Sequence, residues 1–290
     1  VLQFLARQGV KRGEGFVEQE QVRVADQCAG KGDATLLAAG KLCRAAVGEV
    51  VKAEKVLSMT KAQVDQEKAK FGAAMLPAPY GVDGWKIVYR TIDMHGKPTV
   101  ASGMVIVPIG APRPLPVVSY QHGTQFEDVQ MPSNPNSSEM RAIGLLFGAA
   151  GGYFTVLPDY LGNGEGPGLH PYVHAASTAT ACVDMLRAAR RLAARESVQL
   201  NDLLFLTGYS QGGHATMALH RELESKHANE FRVAASAPGA GPYDVAVTTA
   251  ATLLAKPPPN TNAFMAYVAL AYAEEAIKGL EKSRAVVEGR

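Results

Sequence analysis

The sequence predicts an α/β fold in which a mostly parallel central sheet carries helices on both faces. Short apolar runs of strand length alternate with helix-length segments over residues 116–237. Buried strands joined by helical crossovers produce this pattern in parallel sheets. A second observation is local. The apolar run at residues 203–207 leads through a glycine-flanked serine into a helical pattern, as a strand, a tight turn and a helix would.

Six strands are expected in this domain. Residues 84–92 and 99–108 are β-rich and form an antiparallel hairpin, with Gly96 in the connecting turn. The remaining strands are expected at residues 116–120, 153–158, 203–207 and 233–237. Residues 177–194 repeat apolar side chains at helical spacing, so a helix is predicted between the fourth and fifth strands.

The segments on either side of this core are expected to be helical. Residues 1–80 contain charged, helix-favouring stretches without strand-like alternation and are predicted to form an N-terminal extension. The α/β core is placed at residues 81–243, and residues 244–290 are predicted to be a helical lid segment, interrupted by prolines 257–259. The lid aromatics Phe264, Tyr267 and Tyr272 either pack onto the body or form the underside of the lid.

Composition allows a large core and excludes several classes of function. Of the 290 residues, 47% are hydrophobic and 19% are charged, which is typical of a globular chain. The formal charge is +2 and no basic block is present, so neither nucleic acid nor an anionic membrane is an expected partner. No apolar stretch reaches the roughly 20 residues that a membrane span needs. Small neutral molecules are the expected ligands.

Cysteines and histidines give no metal signature. Three cysteines without a C-x-x-C pair argue against zinc and against a dense disulfide framework. Cys28 and Cys43 could form one disulfide if the protein is exported, and Cys182 is expected to be a small buried hydrophobe. The spacing of His214 and His220 does not place both on one helical face as a metal pair would need, and no H-E-x-x-H motif occurs. Neither a metal nor a cofactor is predicted.

The turn after residues 203–207 carries the candidate chemistry. It reads Gly208-Tyr209-Ser210-Gln211-Gly212, a G-x-S-x-G pattern between a buried strand and a helix. Such a tight turn needs glycines because the strand and helix backbones approach closely, and it exposes the serine hydroxyl at the helix N-terminus. We therefore predict that Ser210 is a catalytic nucleophile. The alternative is a glycine-rich turn in which Ser210 only caps the helix.

A serine nucleophile needs donors for the negative charge of its tetrahedral intermediate. The loop after the third strand supplies one backbone N–H in this arrangement, and the residue after the nucleophile supplies the other. Thr124 and Gln211 are therefore the predicted oxyanion donors. His122 is expected to shape its loop through a hydrogen bond, and Asp159 to bind backbone N–H groups of the glycine-rich loop that follows it.

Several motifs together resemble bacterial α/β-hydrolases related to the secretory lipase family. The similarity extends over residues 50 to 245, and its motifs include QHGT at 121–124, PDYLG at 158–162, HPY at 170–172, GYSQGGH at 208–214 and GPYD at 241–244. The resemblance implies hydrolysis of carboxylic esters through an acyl-enzyme on Ser210, without a metal. It also implies a helical lid inserted after the sixth strand, and a secreted or periplasmic protein.

The sequence departs from this family pattern after the lid. In the family the triad acid and histidine follow two further strands beyond the lid, whereas this sequence reaches Arg290 within the lid segment. The candidates present are Asp244 as the acid and His214 as the base, although His214 lies one turn along the helix that starts at the Gly208–Gly212 turn. We therefore expect the C-terminal strands to be missing from this chain and the intact gene product to continue past Arg290, with Ser, Asp and His in that order.

Two classes of function are consistent with these observations. The first is a serine esterase or lipase that acts on a small-molecule ester. The second is a noncatalytic α/β-hydrolase module that binds a ligand or partner in the former active-site pocket, which the missing acid and base favour. A serine peptidase of the same fold is a further alternative among enzymes.

Overall fold

The computed structural model of the protein describes residues 47–73, 75–255 and 261–273. The chain divides into two units, Val1–Ala46 and Val47–Arg290. Every described residue belongs to the second unit, so the fold set out below is that of the second unit.

A seven-stranded mixed sheet forms the centre of this unit. The strands are β1 (Val50–Met59), β2 (Gly81–Ile92), β3 (Pro98–Ile109), β4 (Leu115–Gln121), β5 (Phe154–Tyr160), β6 (Leu200–Tyr209) and β7 (Val233–Gly239). They lie in the order β1-β2-β3-β5-β4-β6-β7. The pairs from β1 to β5 are antiparallel, whereas β5, β4, β6 and β7 run parallel to one another. The predicted parallel sheet is therefore present, preceded by the predicted hairpin.

Helices lie between the strands and after the last strand. They are α1 (Lys61–Lys70), α2 (Ser138–Ile143, continued by a π-helical stretch at Gly144–Ala150), α3 (Ala175–Arg195), α4 (Gln211–Lys226), α5 (Ala250–Ala255, preceded by a π-helical stretch at Val245–Thr249) and α6 (261–273). The predicted helix between the fourth and fifth expected strands corresponds to α3.

Helices cover both faces of the sheet. Successive residues of a strand point to opposite faces, so two neighbouring residues of β3 show what packs on each face. Val105 of β3 belongs to a buried cluster with Leu186 of α3 and Leu219 of α4. Its neighbour Met104 belongs to a second buried cluster, which includes Met140 of α2. The sheet is therefore the middle layer of three, and the predicted α/β architecture is confirmed.

The β2–β3 hairpin closes through its own side chain. The Asp93 carboxylate accepts hydrogen bonds from the backbone N–H groups of His95 and Lys97, each at 2.8 Å. Gly96 has a φ of 77°, which a residue with a side chain rarely adopts. The turn chemistry predicted from the sequence is thus present.

The N-terminal part of the unit differs from the expectation of helix through residue 80. Val50–Met59 is instead a strand that pairs antiparallel with β2. Lys52 and Glu54 on this edge strand form an ion pair at 3.0 Å and are more than half exposed. Charged residues blunt sheet edges, and here they also obscure the apolar alternation from which a strand is recognised. Helix α1 is present as expected, and residues 1–46 lie outside the described residues.

Cys182 lies in α3 with no exposed surface, in agreement with the prediction of a buried hydrophobe. Burial raises the pKa of its thiol. The suggested Cys28–Cys43 disulfide lies outside the described residues. In the part of the chain that the structure describes, no helix is both long and apolar enough to cross a membrane.

The layered packing predicts a large difference between two methionine substitutions. Met104 has 0% exposure, whereas Met75 is 95% exposed. Met104→Ala should lower the free energy of unfolding by about 2–5 kcal/mol, because the cavity it leaves can collapse only in part. Met75→Ala is the control and should change it by less than about 0.5 kcal/mol. Urea unfolding followed by circular dichroism measures both, and equal losses would contradict the packing described.

Candidate active site

Ser210 lies at the apex of a strained turn between β6 and α4. Its backbone has φ 59° and ψ −122°, an uncommon conformation for a residue with a side chain. Such conformations cost on the order of 1–3 kcal/mol and persist where the surroundings enforce them. The Ser210 N–H donates to the Gly239 carbonyl of β7 at 2.9 Å, and the Ser210 carbonyl accepts from Gly213 and His214 of α4. The turn is therefore tied to both the neighbouring strand and the helix.

The glycines around Ser210 are required by close backbone contacts. A Cβ on Gly208 would lie 2.5 Å from the Gln121 carbonyl oxygen of β4, and a Cβ on Gly212 would overlap the same oxygen more severely. Real Cβ atoms do not approach so closely. The predicted reason for the glycines, a close approach of strand and helix, is thus the observed one.

The two predicted oxyanion donors lie on adjoining parts of the sheet edge. Gln121 is the register partner of Gly208 in the parallel β4–β6 pair, so the loop that contains Thr124 leaves the sheet beside the turn that contains Ser210. Gln211 opens α4, where the first backbone N–H groups have no intrahelical acceptor. Among the described residues, neither the Thr124 nor the Gln211 backbone N–H has a hydrogen-bond acceptor. Both remain available as donors, as their predicted role requires.

His122 is buried beneath this loop and is 1% exposed. Its Nδ1 lies 2.7 Å from the Gly123 carbonyl oxygen and its Nε2 lies 3.2 Å from the Asp159 carbonyl oxygen. Its ring stacks on Tyr160 with centroids 4.2 Å apart. These contacts agree with the predicted structural role of His122.

Asp159 is fully buried and connects three parts of the chain. Its carboxylate accepts hydrogen bonds from the Ser102 hydroxyl at 2.6 Å and from the Ser133 N–H at 2.9 Å. The carboxylate reaches the backbone of the glycine-rich loop only through Ser102, which accepts from the Glu165 N–H. The Asp159 backbone carbonyl accepts directly from the Asn163 side chain of that loop at 2.9 Å. The expected direct hydrogen bonds from backbone N–H groups of that loop to Asp159 are therefore wrong. Burial raises the pKa of the Asp159 carboxyl.

The candidate acid, Asp244, caps a helix. Its exposed carboxylate accepts hydrogen bonds from the backbone N–H groups of Val247 and Thr248, at 3.1 and 3.3 Å, and from the Thr248 hydroxyl. These bonds lower the pKa of the Asp244 carboxyl. They give Asp244 a structural role at the start of the helical segment after β7.

The candidate base, His214, is buried in the first turns of α4 with 9% exposure. Its Nδ1 has no hydrogen-bond partner among the described residues. Burial lowers the pKa of His214 to about 4. Within the described contacts, neither His214 nor Asp244 hydrogen-bonds to the Ser210 side chain or to the other, so the structure does not bring the three together.

A third histidine, His170, contacts the site and was assigned no role from the sequence. It is 4% exposed, and its Nε2 lies 2.6 Å from the side-chain Nε2 of Gln211. Its Nδ1 lies 2.8 Å from the Leu161 carbonyl oxygen, which can only accept. The ring is therefore the neutral tautomer with hydrogen on Nδ1, and Nε2 accepts from the Gln211 amide. Burial lowers the pKa of His170 to about 4, which keeps this tautomer at neutral pH.

Aromatic side chains of α6 cover this region. Tyr267 stacks on Tyr172, with centroids 4.6 Å apart and an interplanar angle of 11°, and lies 5.5 Å from the Phe126 ring. Phe264 also contacts Phe126, and the Tyr272 hydroxyl donates to a backbone carbonyl at 3.1 Å. The α6 aromatics therefore pack onto the body, which was one of the two alternatives for them. Whether α6 also acts as a lid stays a prediction.

Comparisons with known proteins identify relatives of this fold. Residues 135–255, which include Ser210, match the model of the secretory lipase family. The chain is similar to a hydrolase candidate from Legionella pneumophila, at 34% identity and a TM-score of 0.72 over 77% of this chain and 60% of that one. It is also similar to the rice cell wall degrading esterase LipA from Xanthomonas oryzae, at 33% identity and a TM-score of 0.63 over 68% of this chain and 51% of LipA.

This chain thus spans 60% and 51% of the lengths of these two solved structures. Comparison with curated protein sequences gave no match. The two structural relatives and the family model nevertheless agree on one broad class, the hydrolases, and LipA and the family have the narrower esterase and lipase names.

Two of the buried histidines, His170 and His214, predict loss of stability in mild acid. The pKa values of His170 and His214 are about 4 in the folded protein, against about 6.5 in an unfolded chain. The unfolded state therefore binds protons that the folded state does not, so this stability is present above pH 6.5 and declines as the pH falls towards 4. Each histidine should lower the free energy of unfolding by about 2 kcal/mol between pH 7 and pH 5.

Urea unfolding at these two pH values measures the effect. The double variant His170→Gln, His214→Gln is the control and should show a much smaller difference between pH 7 and pH 5. A wild-type protein equally stable at both values would contradict the burial of these rings as neutral imidazoles.

Proposed function

Since the chain is an α/β-hydrolase-fold protein related to the secretory lipases, we propose that it is a serine hydrolase that acts on carboxylic esters. The observation that carries the proposal is the left-handed backbone of Ser210 at the junction of β6 and α4. Strain of this kind at a helix N-terminus is expected where a nucleophile must be exposed. The esterase name of one structural relative supports the choice of ester substrates.

In the proposed mechanism the Ser210 hydroxyl oxygen attacks the carbonyl carbon of the ester. The resulting oxyanion accepts hydrogen bonds from the backbone N–H groups of Gln211 and Thr124, and it lies at the N-terminus of α4, where the helix dipole favours negative charge. Collapse of the tetrahedral intermediate breaks the bond to the alcohol oxygen, which takes up the proton lost by the Ser210 hydroxyl, and leaves the acyl group on Ser210. Water then attacks this acyl-enzyme, which releases the carboxylic acid and restores the hydroxyl.

The proposal assigns the general base and the acid to no described residue. A base works best when its pKa lies near the working pH. His214, with a pKa of about 4, would be a weak proton acceptor at neutral pH. Asp244 is already occupied by the helix N–H groups that it caps. Neither His214 nor Asp244 is therefore assigned a role as general base or triad acid.

We further propose that the substrate is a small ester with an apolar acyl group and that the protein is exported. The aromatic surface of α6, where Phe264 and Tyr267 face Phe126, suits an acyl chain better than a sugar or a charged peptide. The match to a family of secretory lipases supports export.

The central prediction concerns the nucleophile. Ser210→Ala should reduce hydrolysis of p-nitrophenyl butyrate by the full-length protein by at least about 10⁴-fold, because it removes the hydroxyl that forms the acyl-enzyme. Ser225→Ala, on the exposed side of the same helix, is the matched control and should retain wild-type activity. Release of p-nitrophenol measures both, and a Ser210→Ala variant as active as wild type would refute the proposal.

A second candidate function is a binding module without catalysis. It is favoured by the absence of a histidine at the Ser210 hydroxyl within the described contacts. Under that alternative the wild-type protein and Ser210→Ala would hydrolyse esters equally slowly. Parallel assays with p-nitroanilide substrates separate an esterase from a peptidase, since a peptidase would cleave the amides as well.

A further inference from the structure

The segment His170–Tyr172 touches both predicted oxyanion donors through its side chains. His170 accepts a hydrogen bond from the side chain of Gln211. The Tyr172 hydroxyl lies 2.7 Å from the Thr124 hydroxyl, which places these two groups in a hydrogen bond. The two donors belong to different elements of the sheet edge, and this segment, which follows β5, is in contact with each.

The bond between His170 and Gln211 is well defined by its surroundings. Both side chains are buried, at 4% and 2% exposure. The Leu161 carbonyl holds the Nδ1 side of the ring, so the Nε2 lone pair has a fixed direction towards Gln211. A buried amide N–H without an acceptor is unfavourable, so Gln211 is held to this orientation.

The bond between Tyr172 and Thr124 is less buried but is covered by α6. Tyr267 of α6 stacks on Tyr172, and its ring also meets the ring of His170 at 5.7 Å and 62°. The same aromatic side chain therefore shields both contacts from water. Since water competes for hydrogen bonds, this cover favours both bonds in the folded protein.

We propose that His170 and Tyr172 are positioning residues that hold the backbone N–H groups of Gln211 and Thr124 in the geometry needed to bind an oxyanion. The proposal rests on the proposed function, because it assigns a purpose to donors that only an acyl-transfer reaction would use. Among the described contacts neither residue hydrogen-bonds to Ser210, so their assigned role is positioning. Oxyanion donors act only within a narrow range of position, and misplacement by about 1 Å can cost about 10²-fold in rate.

Two substitutions of His170 distinguish the roles of its two ring nitrogens. In His170→Gln the side-chain oxygen can replace Nε2 as the acceptor for Gln211. In His170→Asn the side-chain amide can replace Nδ1 as the donor to Leu161, while the acceptor for Gln211 is lost. We expect His170→Asn to lower kcat for p-nitrophenyl butyrate about 10- to 100-fold with little change in KM, because the lost interaction acts in the transition state. His170→Gln should recover most of that loss.

A double-mutant cycle shows whether the effect passes through Gln211. Gln211→Ala removes the side chain and keeps the backbone N–H. In that background His170→Asn should change kcat by less than about 2-fold, since the interaction that it removes is already absent. Tyr172→Phe tests the other contact and should lower kcat several-fold. The control is His220→Gln. His220 lies on α4, as Gln211 does, but away from the contact between His170 and Gln211, so this substitution should leave kcat unchanged.

A readout independent of activity keeps this proposal separate from the proposed function. In full-length protein labelled with ¹⁵N-glutamine, His170→Asn should shift the backbone amide resonance of Gln211, and His170→Gln should restore it towards its wild-type position. If wild-type protein hydrolyses no ester, the proposed function fails, and this shift still decides the positioning role. An unshifted Gln211 resonance in folded His170→Asn, or wild-type kcat in that variant, would overturn the proposal.

Discussion

The close contact between the Gln121 carbonyl of β4 and the glycines of the β6–α4 turn determines the geometry of the whole site. Gly208 and Gly212 both lie against this oxygen, and neither position has room for a side chain. The contact lets α4 start directly above the sheet edge. Ser210 must then reverse the chain within one residue, and this produces its left-handed backbone.

A buried polar network supports the loop after β4 that contains Thr124. The Tyr160 hydroxyl donates to the His122 carbonyl at 3.0 Å, and the His122 ring lies between Tyr160 and the carbonyl of Asp159. Asp159 in turn binds Ser102 of β3. Buried polar groups that are satisfied in this way favour one arrangement over others. The loop with Thr124 is thereby fixed by residues that have no chemical role of their own.

The sequence was sufficient for the features that depend on local pattern. Apolar runs located six of the seven strands, and the glycines around Ser210 located the turn, because both signals lie within a few neighbouring residues. Strand β1 was missed because charged residues such as Lys52 and Glu54 are typical of an exposed helix. The segment is extended because it pairs with β2, which its own sequence does not indicate.

The side-chain network of the site could not be predicted in the same way. Gln211 and His170 are 41 residues apart, and no spacing rule relates them. The HPY motif at 170–172 could be recognised in the sequence. Its contacts could not, because they depend on where the loop after β5 passes the N-terminus of α4. The predicted hydrogen-bond partners of Asp159 were wrong for the same reason, since its observed partners Ser133 and Ser102 come from distant parts of the chain.

The most direct test of Ser210 as an activated nucleophile is reaction of the full-length protein with a fluorophosphonate, followed by mass spectrometry of the intact protein and its peptides. We predict one phosphonyl group per chain, attached to the peptide that contains Ser210, and none on Ser210→Ala. A folded protein that takes up no label, or that carries it on another residue, would contradict the account.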